Sequence, residues 1–374
     1  MADQRHLNAT DTINFGSYYT PEKIVDIVYD LVHKNVPNHS EHIFLDTSCG
    51  YGNFLRYPNS IGADIDQKAI TESKRKPNKV IYHHNSLSNV SRSAYNLKEN
   101  DKVIIIGNPP YNDKTSIIRN HIKKYEAEID SDLVHRDLGI SFLLSYSKLS
   151  PDYIAVLHPL SYLIKKSNFE SLKDFKYSYK LMDSVIISSG VFTQTSKSTS
   201  FPIIIALYKK DFPGMTYQNI LEYEFTTLEG KQYKLADYDR LANYITKYPN
   251  KYEKSAVAHF WTMRDINALK RTKTFIESET ENSIRVSLQK LPLYCYADIF
   301  KDYIPNIPYY FGNSDIMINK EEFEKIKDIF VMESIKKYPF LSHLNQHYKV
   351  QNYDKGVLPN YFKNLLGEHY VENY

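Results

Sequence analysis

Between residues 20 and 210 the chain alternates helical periodicity with short runs of apolar, often β-branched residues, and most of these runs end in a turn of unusual composition. Thr20-Pro21 has the form of an N-cap followed by proline at the first helical position. Ile24, Ile27, Val28, Leu31 and Val32 then recur at helical spacing, which predicts an amphipathic helix over 21–34. Residues 43–45, 60–63, 80–82, 103–106, 153–157 and 201–208 read as strands, with helix expected from 67 and over 140–149. Strands separated by helices imply βαβ units and a mostly parallel sheet. Such a sheet takes its ligand at the carboxyl ends of its strands. Gly50 and Gly52, Asp64, Asn85 and Asn108 each stand at such an end.

Beyond the turn cluster Asp211-Phe212-Pro213-Gly214 this rhythm stops. Only 320–337 reads as a firm helix there, with Phe323, Ile326, Ile329 and Phe330 on one face. Two domains are therefore expected, 1–215 and 216–374, as the length of 374 residues allows. Lys and Arg number 47 against 44 Asp and Glu, a net charge of +3, so any nucleic-acid site must be a local patch. Cys49 and Cys295 are too few and too far apart for a disulfide framework or a zinc site, which fits a reducing compartment. The first ten residues lack the apolar core of a signal peptide, and the longest apolar run, 201–208, is too short to span a bilayer. A cytoplasmic protein without membrane association is expected. Its 33 tyrosines beside a single tryptophan fit either AT-rich coding or a base-stacking surface, and composition does not separate the two.

Three turns carry the chemistry. In Asp46-Thr47-Ser48-Cys49-Gly50-Tyr51-Gly52, the two glycines let backbone approach a ligand closely. A tight turn without a ligand would use them equally well. The third glycine of a dinucleotide fingerprint is replaced by Leu55, and no phosphate-binding loop follows, so the turn suits a nucleoside without phosphates. Asp64, at the end of the next strand, is placed either to accept both hydroxyls of a ribose or to serve as a solvated turn acid. Beside the glycine turn the ribose reading is preferred. Asn108-Pro109-Pro110-Tyr111 decides the matter: its prolines present carbonyls without donors, so the Asn108 amide oxygen and the Pro109 carbonyl form an acceptor pair for an –NH2 group. Tyr111 adds a flat face on which a planar ring can stack.

On these motifs, residues 14–210 resemble the S-adenosylmethionine-dependent N6-adenine DNA methyltransferases of restriction–modification type, with the motif order of their gamma class. FGSYYTPEKIVDIV resembles the family's N-terminal motif, DTSCGYGNF the cofactor turn, GADID the ribose acid and GNPPY the catalytic motif. YIAVLHPLSYL is similar to the segment that follows, and GVFTQ…FPIIIALYKK to the one holding an aromatic against the target base. The resemblance implies an α/β fold, a Rossmann-like mixed sheet with helices on both faces, followed by a smaller C-terminal α+β recognition domain. It implies cofactor contacts from Tyr19, Thr20, Pro21, Asp46, Ser48, Gly50, Gly52, Asp64, Ile65, Asn85 and Asn108. Where the family places Asp against the cofactor adenine, this chain has Asn85. Catalysis falls to Asn108, Pro109, Pro110, Tyr111 and Phe192, with Phe201 second to Phe192.

The implied mechanism flips an adenine out of double-stranded DNA, holds its amine on Asn108 and Pro109, and sandwiches its ring between Tyr111 and Phe192. No metal and no covalent nucleophile is needed, and Cys49 reads as a packing residue. A monomer acting beside a separate restriction endonuclease is expected. An RNA adenine, a protein glutamine, or a catalytically silent nucleic-acid-binding role are the alternatives. In the second domain Arg264, Lys270, Arg271, Lys273 and Arg285 form a modest basic concentration that suits DNA phosphates or base edges, or a solvated helix face. Lys123 and Lys124, Lys165 and Lys166, and Lys209 and Lys210 are open to the same two readings.

Overall fold

Seven strands, β1 (Ile43–Asp46), β2 (Ser60–Asp64), β3 (Val80–His83), β4 (Val103–Gly107), β5 (Tyr153–Pro159), β6 (Tyr179–Ser188) and β7 (Pro202–Lys210), form one sheet in the order β3-β2-β1-β4-β5-β7-β6. The computed structural model describes residues 20–73, 79–111, 128–192, 200–250, 253–348 and 353–372. β1 to β5 pair in parallel, and β7 pairs antiparallel with both β5 and β6. This is a Rossmann-like mixed sheet flanked by helices, as expected. Every residue of β4 is buried, and alternate side chains point to opposite faces, so both faces of the sheet are covered.

β6 has no counterpart among the expected strands. It is an edge strand whose alternation is broken by a register shift between Leu181 and Asp183. The first helix runs Glu22–Asn35 and buries Ile24, Val25, Val28, Leu31 and Val32 against β4, β5 and β7. Its N-cap is Pro21 rather than Thr20, one residue later than the cap rule predicts. Cys49 is buried with Leu55, Ile70 and Ile81, the packing role expected of it. A β-carbon on Gly62 would lie 2.9 Å from its Sγ, so the glycine lets this turn close on β2.

The chain divides into two compact units after Tyr233. Residues 216–233, expected in the second domain, stay with the first. The Tyr217 hydroxyl donates to the Ile164 carbonyl at 2.8 Å, Ser184 Oγ donates to the Tyr223 hydroxyl at 3.2 Å, and Leu228 N–H donates to the Ile186 carbonyl at 2.9 Å. Asp211–Gly214, read as a turn cluster, is a turn held down by the bond from Met215 N–H to the Lys176 carbonyl. The second unit is α+β. A three-stranded antiparallel sheet (Phe275–Ile276, Ala256–Trp261, Ser283–Ser287) accompanies the helices Leu291–Asp302, Lys320–Lys337 and Val357–Leu366. On the Lys320–Lys337 helix Phe323 and Phe330 are buried as expected, and the buried face continues through Val331 and Ile335. Tyr95, Tyr146, Tyr162, Tyr179, Tyr208 and Tyr296 are among the largest fully buried side chains, so part of the tyrosine excess is core. Among the described residues, no helix is long and apolar enough to cross a membrane.

Candidate functional site

The strand order reverses direction between β1 and β4, and the crevice of a doubly wound sheet opens at the carboxyl ends there. β1 ends in Asp46, whose Oδ1 accepts the Ser48 N–H at 3.1 Å. Gly50 and Gly52 follow with φ of 49° and 73°, left-handed values that glycine adopts without strain. The Gly50 N–H donates to Asp64 Oδ2 at 2.8 Å, and the Asp66 N–H to Asp64 Oδ1 at 2.8 Å. Asp64 thus locks the glycine turn onto β2. A carboxylate offers about four acceptor sites, so lone pairs remain on it. Ser48 Oγ is buried with no hydrogen-bond partner among the described residues.

β4 ends in Gly107, at φ 150°, and a β-carbon there would lie 2.7 Å from Asp46 Oδ1. Glycine is required on both counts, by backbone angle and by the approach of the carboxyl group. Asn108 follows. Its Nδ2 donates to Thr20 Oγ1 at 3.1 Å, and its Oδ1 is buried without a hydrogen-bond partner among the described residues. Thr20 is itself 5% exposed, and its carbonyl accepts from Asn53 Nδ2 at 3.2 Å. It therefore ties the N-terminal motif, the glycine turn and the Asn-Pro-Pro-Tyr turn together. Pro109 is buried and Pro110 half-buried. Tyr111 packs against the main apolar cluster.

The Tyr111 seat depends on a residue that sequence reasoning missed. A β-carbon on Gly139 would meet Tyr111 Cβ at 2.9 Å and the Tyr162 hydroxyl at 2.6 Å. Asp137 caps the Leu138–Leu149 helix by accepting from the Gly139 N–H, and it also takes the Tyr162 hydroxyl. Nothing local in Asp137-Leu138-Gly139 marks this role, because the contacts come from distant parts of the chain. Ser48 is among the expected cofactor contacts, whereas the hold of Thr20 on Asn108 was equally unmarked by spacing.

Other expected residues are placed as follows. Ile65 is 40% exposed beside Asp64, an apolar side chain left open at the strand end. Asn85 turns its Oδ1 to the Leu87 N–H at 3.1 Å and donates from Nδ2 to the Glu128 carbonyl at 2.6 Å, so its amide joins its own turn to a residue 43 positions away. Phe192 is 2% exposed within the main cluster, and half-buried Phe201 packs against the same cluster. Pro21 is half-buried, and its carbonyl accepts the first helical N–H groups. Tyr19, Lys123 and Lys124 lie outside the described residues.

Burial dominates the electrostatics. Asp46 is 2% exposed, and desolvation pushes its carboxyl up to about 8, with the nearby Asp64 charge adding to the rise and the Ser48 N–H opposing it. Asp64 is also raised, first by desolvation, against the N–H bonds that favour its charged form. In the second unit Arg264, Lys270, Arg271 and Lys273 are all exposed, around the short helix Ile266–Arg271. Arg285 differs: its Nε and Nη2 donate to the two Glu279 carboxylate oxygens at 2.8 and 3.1 Å. That pairing already satisfies its charge.

No protein-family model and no curated protein matches this sequence. Among solved structures the chain is similar to a candidate RNA methyltransferase from Pyrococcus horikoshii, at 13% identity over 53% of this chain and 88% of the other, with a TM-score of 0.36. It is also similar to a candidate class I S-adenosylmethionine-dependent methyltransferase from Listeria monocytogenes, at 19% identity over 56% of this chain and 66% of the other, with a TM-score of 0.39. A third likeness is to the type I restriction-modification methyltransferase subunit from Streptococcus thermophilus, at 15% identity and a TM-score of 0.40. It covers 62% of this chain and only half of that subunit. At such scores these likenesses add nothing to the fold, which rests on the strand order and register of the chain itself.

Proposed function

We propose that the chain is an S-adenosylmethionine-dependent DNA methyltransferase that modifies adenine N6 at a specific sequence, as the modification enzyme of a restriction–modification system. One observation carries the reading: the Asn108 amide oxygen is buried and unpartnered among the described residues, at the carboxyl end of β4. An unmet buried acceptor costs about 1–3 kcal/mol. A ligand amine at this point would remove that cost.

The residues fit the cofactor. Asp64 keeps lone pairs for ribose hydroxyls, Gly50 and Gly52 bring backbone close, and Ser48 Oγ has no partner among the described residues. Exposed Ile65 offers an apolar surface to a base. When bound, S-adenosylmethionine supplies an electrophilic methyl group. Asn108 Oδ1 and the Pro109 carbonyl accept hydrogen bonds from the target amine and draw the nitrogen toward tetrahedral geometry. Its lone pair would then form the N–C bond as the sulfonium S–C bond breaks to leave a neutral thioether, and the resulting cationic amine would give a proton to water. Placement supplies most of the acceleration. Tyr111 covers one face of the base. Phe201 is the better-presented candidate for the other, with Phe192 supporting it from the core.

The substrate is duplex DNA with the adenine flipped out at a cost of a few kcal/mol. A monomer would act separately from its restriction endonuclease, with exposed Arg264, Lys270, Arg271 and Lys273 meeting phosphates. The test is expression in a host lacking adenine methylation, followed by modification-sensitive genome sequencing, beside an Asn108→Ala variant. N6-methyladenine at one recurrent motif, absent with the variant, is the expected result. An unmodified genome from a folded protein that binds S-adenosylmethionine would refute the DNA reading and turn attention to RNA adenine or protein glutamine.

A further inference from the structure

We propose that Thr20 is the positioning residue of the Asn108 amide: its hydroxyl holds Nδ2 so that Oδ1 faces the substrate amine. The inference rests on the function proposed above. A carboxamide is nearly symmetric in shape, and rotation by half a turn exchanges its acceptor for two donors. A flipped Asn108 would turn N–H groups toward an amine that itself donates. The prolines leave no N–H to compete for Oδ1, so what fixes the amide is an acceptor for Nδ2. The hold comes from 88 positions away, through the 3.1 Å bond from Nδ2 to Thr20 Oγ1.

Two features leave that hydroxyl free for the task and keep it in place. Pro21 takes the N-cap position, so the Thr20 side chain is not spent on the helix. Thr20 is buried and anchored by the Asn53 amide on its carbonyl, which fixes Oγ1 relative to the glycine turn. In the observed orientation one Asn108 N–H is satisfied and the oxygen awaits a donor. In the flipped one the Thr20 hydroxyl would donate to Oδ1, and both N–H groups would face the amine with no acceptor from Thr20.

The experiment uses the full chain. In 15N-labelled protein without cofactor, the Asn108 side-chain NH2 signals are identified by their loss in Asn108→Ala. The same proteins are assayed for methyl transfer to unmethylated bacterial genomic DNA, and for S-adenosylmethionine binding by calorimetry. Thr20→Val is expected to shift the Asn108 signals and to lower the rate at saturating cofactor on the order of 10- to 100-fold. Thr20 is also an expected cofactor contact, so the dissociation constant is read separately and the rates are compared at saturating cofactor. Thr20→Ser, which keeps the hydroxyl, should restore both signals and rate. Should Thr20→Val not fold, a Thr20→Ser protein with a comparably lowered rate would overturn the proposal. So would a Thr20→Val whose only defect is weaker cofactor binding, or one with unchanged signals and rate. Wild-type protein that transfers no methyl group to DNA overturns the proposed function and this inference with it; an active wild type with an indifferent Thr20 overturns the inference alone.

Discussion

Asp46 in the first unit and Asp298 in the second are buried to the same degree, 2% and 1% exposed, in very different company. Asp298 receives Thr274 at 2.6 Å, Ser334 at 2.9 Å, Tyr338 at 3.1 Å and Lys337 at 3.4 Å. Asp46 is given the Ser48 N–H, and burial raises it to about 8. Gly107 closes against it, and Asn108 follows with an oxygen that has no partner among the described residues. A carboxyl that serves the fold is surrounded by donors, because leaving a buried charge unmet is expensive. Polar groups left unmet at strand ends belong where a ligand completes them.

Substitutions at the two carboxyls should separate these roles most sharply. Asp298→Ala strips the common acceptor from four donors and should cost about 3 kcal/mol, the lower end for a broken buried pair because Lys337 is partly in water. Chemical denaturation would check this, and an unchanged midpoint would contradict a structural role. Asn108→Ala should leave stability almost untouched while lowering methyl transfer roughly 10²- to 10³-fold, the scale for losing one preorganised polar partner. A parallel loss of melting temperature would mean instead that Asn108 is structural.

Asp46→Asn tests the other half of the comparison through pH. The folded-state pKa is raised from 3.8 to about 8, so the stability associated with the protonated carboxyl is full below the unfolded value and lost as pH rises through 8. Wild-type melting temperature should therefore fall between about pH 4 and 8 more steeply than that of Asp46→Asn. Superimposable pH profiles would show that the carboxyl is not held neutral. The smallest effect is expected from the exposed cations: the double variant Lys270→Ala, Arg271→Ala should weaken DNA binding and flatten its salt dependence by about one unit per lost phosphate contact. Arg285→Ala, whose charge is already met by Glu279, should change the salt slope far less. Equal slopes for the two would remove the distinction between exposed cations and one paired with a carboxylate.

Much of this was legible before any coordinates. The five parallel strands and the carboxyl ends bearing Gly50, Asp64 and Asn108 follow from local periodicity and turn chemistry, which act over a few residues. β6 was not legible, because an edge strand with a register shift breaks the alternation that betrays a strand. Nor was the attachment of 216–233 to the first unit, whose bonds to Ile164, Ser184 and Ile186 join residues dozens of positions apart. Phe192 illustrates the same limit: its place in the GVFTQ segment is visible in the sequence, while its burial in the main cluster depends on what packs around it.

The sequence by itself determined the sheet type and the chemical character of the strand-end turns, because proline, glycine and asparagine act on their own backbone. Only the tertiary structure decided which of those groups are satisfied. Thr20 turns to Asn108 instead of capping its helix, Asn85 spends its amide on Leu87 and distant Glu128, and Gly139 makes room for Tyr111. Hydrogen-bond satisfaction and close packing depend on neighbours brought together by folding, and no local pattern encodes them.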